Sequence, residues 1–474
     1  MKNLNINGII LVLIFAIAIY LRVDAYLINN SFFTDEILLA QNIFERNYAG
    51  LFLPLKYFQS APYLFLVISK FISSTLGINE LCFRWFPFIS SLTSVVLFYM
   101  LLKEYFKNFQ VKALGLFTFT ISYPLLFYSQ AFKQYSSDVL VSIIILFVVS
   151  KLENIKLSPL QYFLLGFFWL ICVMLSFPAY IMLAGFFAAW IITRKNLRML
   201  LSLIVPFIFS LFYYVYNLSN VAASQYLSEY WQKGFDIFSA GIYKLNFEFL
   251  FQYYSFPLLF LILLVAGFCY LYKYKRFYFW NLFSVTLITL IAAFLKIYPF
   301  ERRLCLFLIP VLILISIYPL DNLKDNIKSK LLLFAALIFF GSGFFNSAKE
   351  YVRGNVSYLR QDVKPLLRII SSKKEGENIY LYYGALTSYS YYSKIYPLPA
   401  AIGAVYPADE KLSDKYMISD FNRLPAGTYY ILFVKGSWTF DKDLECAKKW
   451  FNQNAEILDE YGLKSASLFK IKIK

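Results

Sequence analysis

The sequence predicts a polytopic α-helical membrane protein of about 11 transmembrane helices, followed by a small C-terminal extracytoplasmic α/β domain. Three observations carry this. Of 474 residues, 60% are apolar, 21% aromatic and only 15% charged, where soluble domains average about 25% charged. Apolar runs recur at close to the length a bilayer requires, about 20 residues with tolerance for tilt. Finally, charge density changes along the chain: residues 1–347 hold 26 basic and 14 acidic side chains, and residues 348–474 hold 19 and 14. A disordered chain, a disulfide scaffold and an ordinary cytosolic enzyme are excluded. The net charge of +17 also suits a nucleic-acid partner. None is expected, because the basic residues of the first part sit mostly in short loops between apolar runs.

The spans follow in order. The first run, residues 8–21, lacks a small-residue cleavage site and is read as an anchor, not a signal peptide. Further spans are expected at 86–102, 113–128, 139–149, 160–175, 179–192, 199–215, 256–272, 277–295, 304–320 and 331–345. Alternate loops carry Lys103, Lys107 and Lys112; Lys151 and Lys156; Arg194, Lys195 and Arg198; Lys273, Lys275 and Arg276; Lys324, Lys328 and Lys330. With Lys2 these basic residues mark the cytoplasmic side. The N-terminus is then cytoplasmic and the C-terminal domain periplasmic or extracellular.

The first outer loop, residues 22–85, is long. Its apolar stretch 61–76 is interrupted by Ser and Lys and reads as a helix in the membrane interface. The outer segment 217–255 contains QYLSEYWQK at 225–233, whose aromatic and polar mixture also suits an interfacial helix. We therefore divide the chain into a transmembrane domain, 1–347, and an extracytoplasmic domain, 348–474. In the latter, 378–383, 428–434 and 467–473 read as strands. Residues 441–452 read as a helix capped near Thr439 or Asp441.

The chain has no histidine, which removes imidazole bases and imidazole metal ligands. Its five cysteines are scattered and show no disulfide framework. Acid–base chemistry therefore rests on carboxylates, Lys, Tyr or Cys. Three polar clusters at outer span ends stand out. Asp35 and Glu36 lie within FFTDEI (32–37), where two adjacent acids among aromatics cost desolvation energy. They suit a general base with a hydroxyl or metal partner; equally, they suit a helix cap with a first-turn acid. The loop 130–138 places Lys133 and Asp138 between two spans, as phosphate and sugar contacts or as a solvated ion pair. In YPFERR (298–303), Arg302 and Arg303 sit at the wrong end of a helix dipole and against the positive-inside bias. Glu301 compensates one of them, and a phosphate suits the planar guanidinium fork; snorkelling to headgroups is the other reading. Arg84 enters the second span and has three readings: snorkelling, pairing with Glu80, or pointing into the same cavity.

These motifs, in this order and topology, resemble the multi-span glycosyltransferases of the GT-C fold, specifically the protein-O-mannosyltransferase and aminoarabinose-transferase relatives. The resemblance rests on FTDE (33–36), APYL (61–64), LGINELCFR (76–84), YSQAFKQYSSD (128–138) and YPFERR (298–303), and covers roughly residues 8–345. It implies transfer of a sugar from a polyprenyl-phosphate donor to a hydroxyl of a glycan, lipid or protein acceptor, on the outer face of the cytoplasmic membrane. Asp35 would then be the catalytic base, and Glu36 would orient the acceptor or help hold a metal. Lys133, Arg302, Arg303 and Arg84 would bind the donor phosphate. Asp138 and Glu301 would contact the sugar or a metal. The missing histidine departs from relatives and puts a metal in question, although Asp35, Glu36 and Asp138 are able to ligate Mg²⁺ or Mn²⁺. A lipid-linked glycan polymerase or ligase is disfavoured by the absence of histidine. A polyprenyl-lipid flippase or transporter is disfavoured by spans nearly free of charge.

Overall fold

The computed structural model describes residues 6–153, 155, 157–195, 197–219, 225–251, 257–322, 335, 362–373, 375–404, 412–436, 439–463 and 465–474. The chain forms two compact units. One comprises Met1–Ile28, Arg46–Leu76 and Leu81–Glu350; the other comprises Asn29–Glu45, Gly77–Glu80 and Tyr351–Lys474. They do not follow a single cut at residue 347. Residues 29–45 and 77–80, expected in the transmembrane domain, group with the C-terminal residues because their polar groups bond there: Ser31 to Asp362 and Glu80 to Lys364.

The first unit is helical. Its early elements are α1 (Ile6–Leu27), α3 (Tyr63–Leu76), α4 (Glu80–Tyr105, from its second residue on), α5 (Phe109–Ile121), α6 (Tyr123–Ser129), α7 (Tyr135–Leu152), α8 (Pro159–Leu175) and α9 (Ala179–Arg194); α2 (Thr34–Glu45) belongs to the second unit. Among the described residues six helices are long and apolar enough to cross a membrane: α1, α4, α7, Leu197–Asn217, Arg276–Phe294 and Arg302–Asp321. The pair α5 and α6, bent by 51°, makes a seventh if it is one span. The protein is a multi-pass membrane protein. The expected spans at 160–175, 179–192 and 256–272 coincide with shorter apolar helices. The expected span 331–345 lies almost wholly outside the described residues, as do Lys324, Lys328 and Lys330.

Local chemistry explains the boundaries. Asn108 caps α5 by accepting the Gln110 amide at 2.8 Å. Asp321 accepts the amides of Lys107 and Asn108 just before it. Ser158 and Gln161 form a reciprocal capping box at the start of α8. The α5–α6 break falls at Ser122, two residues before Pro124, whose ring cannot continue a helix from the preceding turn. Gly185 lets α9 lie against Arg276–Phe294, since a Cβ there would collide with Val285. Gly267 does the same for Pro257–Tyr274 against the Ile315 carbonyl.

Three expectations need adjusting. Arg22 lies inside α1, not in the first outer loop. Asp138 lies in the first turn of α7, not in a loop; the polar Tyr135-Ser136-Ser137-Asp138 turn hides the helix start. The segment 217–255, read as interfacial, holds three short helices among the described residues, Gln225–Tyr230, Gln232–Phe235 and Ala240–Phe251.

In the second unit, β1 (Asn378–Leu381), β2 (Ile402–Gly403), β3 (Gly427–Val434), β4 (Ala455–Leu463) and β5 (Ala466–Ile473) form one sheet in the order β2-β1-β3-β5-β4. β1 runs parallel to β2 and β3, and β5 antiparallel to β3 and β4. The helix Phe440–Asn454 covers it with Trp450 and Phe451, against Phe433, Phe469 and Tyr382. The short β2 and the edge strand β4 were not expected. β4 is exposed along almost its whole length, so it lacks the apolar alternation that marks a half-buried strand.

Candidate functional site

Asp35 and Glu36 occupy the first turn of α2. Glu36 is 1% exposed, and its Oε2 accepts the Phe33 amide at 3.2 Å. With Phe33 at the cap position, this is the returning half of a capping box. Glu36 thereby satisfies a helix-end donor that would otherwise be orphaned. Asp35, next to it, is half-buried. Of the two readings open for the pair, Glu36 fills the capping one, and Asp35 keeps a carboxylate at the turn's edge.

The other candidates lie in the helical unit. Lys133 is 6% exposed, and its Nζ donates to Gln59 Oε1 at 2.7 Å. Gln59 in turn donates to the Tyr57 carbonyl. Tyr57 and Phe58 both have positive φ, 62° and 53°, a strained backbone for bulky residues. The local chain is thus bent at some cost to carry Gln59. Asp138 is 4% exposed, and its Oδ1 has no hydrogen-bond partner among the described residues. A buried carboxylate oxygen without a donor is costly, which makes Asp138 a functional candidate. Arg84 is also buried, at 4%.

YPFERR is built on close packing. Gly234 sits where a Cβ would meet Pro299, and its carbonyl accepts the Phe300 amide. Asn246 donates to the Phe300 carbonyl at 2.8 Å, and Tyr298 donates to Leu304. Glu301 pairs with Arg302 at 3.2 Å, so the expected sugar or metal contact is engaged as a charge partner. Arg303 lies over the Trp231 ring, 5.5 Å from its centroid, with Nη2 3.4 Å from the Tyr230 hydroxyl. These two aromatics belong to the segment read as interfacial, and no ligand role was expected for them.

The second and third motifs come together. Burial first, then the Asp138 carboxylate, holds the Tyr298 phenol well above its ordinary pKa. Leu306 lines one small cavity together with Tyr128, Tyr135 and Ser136. That cavity has about 10 Å³ of room, enough for one water molecule, and we do not assign the donor to it.

Sequence reasoning missed Arg22. It is fully buried. Its Nε donates to Ser91 Oγ at 2.8 Å, and Nη1 reaches the carbonyls of Ala18 and Thr120 at 3.3 Å. Nη2 has no partner among the described residues. The signal was a single guanidinium within a span-length apolar run. Among the described residues no group of three or more His, Cys, Asp or Glu is placed to hold a metal. Asp35 and Glu36 alone supply two carboxyls, one of them engaged in the cap.

No family model matches the sequence, and no curated protein does. Solved structures do match. ArnT from Cupriavidus metallidurans bound to undecaprenyl phosphate is 13% identical, with a TM-score of 0.55 over 97% of both chains. Its apo state is 11% identical, with a TM-score of 0.57 over the same shares. The oligosaccharyltransferase from Archaeoglobus fulgidus in complex with Zn and sulfate is 12% identical, with a TM-score of 0.53 over 96% of this chain and 72% of its own. ArnT is an aminoarabinose transferase. The chain therefore has the GT-C fold of these membrane glycosyltransferases, the fold its sequence motifs imply.

Proposed function

We propose that this protein is an integral membrane glycosyltransferase. It moves a sugar from a polyprenyl-phosphate donor to an acceptor hydroxyl at the outer face of the cytoplasmic membrane, with inversion at the sugar carbon. One observation carries the reading: the likeness to ArnT bound to undecaprenyl phosphate extends over 97% of both chains, C-terminal domain included.

In this reading Asp35 takes the acceptor proton as the acceptor oxygen bonds to the anomeric carbon, and the phosphate leaves with the bonding pair. Glu36 holds the helix end that presents Asp35. The sugar carbon becomes oxocarbenium-like. Negative charge grows on the departing phosphate, so fixed cations stabilise the transition state more than the ground state. Lys133, Arg84, Arg302 and Arg303 supply them. Asp138 faces the sugar. The fourteen basic residues of the alternate loops, with Lys2, support a cytoplasmic N-terminus and an external C-terminal domain. We keep eleven spans as the expected total.

The test is Asp35→Asn. It should accumulate in the membrane normally and lower transfer at least about 100-fold, the usual scale for loss of a general base. Full activity would remove the proposed base.

A further inference from the structure

We propose that the buried cluster of Glu80, Lys364 and Tyr392 is a positioning device that fixes the approach to Asp35, and that this is what the C-terminal domain contributes to the reaction. The inference rests on the reading of Asp35 as the base. All of its contacts lie within the second compact unit.

Residues 29–33 lead into α2, and hydrogen bonds hold Asn29, Ser31, Phe32 and Phe33. The Asn29 carbonyl accepts Lys364 Nζ at 2.6 Å. Asn29 adopts φ +47°, a left-handed conformation that asparagine tolerates better than most residues. Ser31 Oγ donates to Asp362 and accepts the amides of Val363 and Lys364, each at 3.0 Å. It thereby serves as a cap, from far along the chain, for the helix Lys364–Ser371. The Phe32 amide donates to the Tyr392 hydroxyl at 2.9 Å, and the Phe32 ring packs 5.7 Å from that of Tyr391. The Phe33 amide goes to Glu36.

Glu80 is the hub. One oxygen, Oε1, takes both Lys364 Nζ at 3.0 Å and the Tyr392 hydroxyl at 2.9 Å. Tyr392 therefore accepts from Phe32 and donates to Glu80 with the same oxygen, a directional relay. Glu80 is 2% exposed and Tyr392 is fully buried.

Stability alone does not favour such a cluster. Burying a carboxylate beside a largely shielded ammonium carries a desolvation penalty, and well-packed apolar residues often serve a fold better. What the ionic cluster supplies is direction: it sets the angle at which the chain enters α2, three residues before Asp35. A reacting group misplaced by about 1 Å can lose about 100-fold in rate, so a base on a short helix needs this kind of support. Glu80, Lys364 and Tyr392 are positioning residues; none is assigned contact with substrate.

The experiment uses the full chain in detergent or vesicles, with Tyr392→Phe, Lys364→Met and Lys364→Arg. Hydrogen exchange reads the amides of residues 29–36. Release of undecaprenyl phosphate from undecaprenyl-phosphate mannose and undecaprenyl-phosphate aminoarabinose reads turnover, with whole membranes supplying the acceptor. We expect Tyr392→Phe and Lys364→Met to speed exchange at Phe32 and Phe33 and to lower turnover at saturating donor about tenfold, on the scale of a sub-ångström misplacement. The donor KM should stay put, and Lys364→Arg should recover most of the loss. Unchanged exchange and unchanged turnover in Tyr392→Phe would overturn the proposal, even if Lys364→Met fails to accumulate. If Asp35→Asn keeps its activity, the base reading falls, and the exchange result still judges the clamp.

Discussion

The two compact units treat their most deeply buried charges differently. In the second, Asp443 is saturated, although Asp414, nearer the surface, leaves its Oδ1 without a partner among the described residues. Asp443 is fully buried and takes hydroxyls from Tyr382, Ser413 at 2.7 Å and Thr439 at 2.9 Å. Lys470 meets Glu377 at 2.6 Å. In the helical unit, fully buried Arg22 leaves one guanidinium nitrogen without a partner, and Asp138 leaves one carboxylate oxygen without one, among the described residues. Saturated charge belongs to the fold. Unsaturated charge retains a desolvation cost that a ligand is able to relieve. We propose that this difference distinguishes Asp443, which holds the fold together, from Asp138, which engages substrate.

This contrast is open to attack from both sides. Asp443→Ala removes the acceptor shared by three hydroxyls; Ser413 and Thr439 still bond each other at 2.9 Å, and a buried donor that loses its acceptor costs about 1–3 kcal/mol. The substitution should unfold the C-terminal unit, read as rapid proteolysis of residues beyond 362, while Asp443→Asn, which keeps one acceptor oxygen, should be milder. Asp138→Asn should leave the melting temperature nearly unchanged and lower sugar transfer about 100-fold, as loss of a group engaged only by substrate would. A large drop in stability with normal transfer would place Asp138 with Asp443. Replacing Arg302 and Arg303 together by Gln should raise the donor KM about tenfold, the scale of one or two charge-assisted bonds; unchanged donor affinity would assign both to structure. The smallest effect is expected at the surface. Lys442, 2.9 Å away, holds the Asp414 carboxyl below its usual range. A depressed carboxylate pKa stabilises above the unfolded value, about 4, and that contribution is lost as pH falls through the folded value. Thermal melts of Asp414→Asn should therefore run below wild type at pH 6 and converge with it below about pH 3.

Much of this was legible in the sequence, and the failures have physical causes. Apolar runs located every described span, because hydrocarbon demands a continuous signal. Their ends were harder. Tyr135 to Asp138 is polar yet helical, since its polar groups are buried in protein and not in lipid. Arg22 reads as a loop residue for the same reason: Ser91 and two carbonyls bond two of its three guanidinium nitrogens inside the bundle. Asp35 and Glu36 stand out by their unfavourable setting, while the bond from the Phe33 amide to Glu36 was not readable from it. Gln59 beside Lys133 and Glu80 beside Lys364 were not readable, because each pair joins residues distant in sequence. Arg84 had been paired with Glu80 as one of three readings; Glu80 is instead engaged by Lys364 and Tyr392.

Arg22 also bears on how the chain is made. An arginine in a spanning segment adds about 2.5–3.5 kcal/mol to membrane insertion at the helix centre. The groups that relieve it here, Ser91 and the Thr120 carbonyl, are synthesised some 70 and 100 residues later. The first helix therefore enters the bilayer with a cost that the third stretch of apolar sequence relieves only in part, since Nη2 stays without a partner among the described residues.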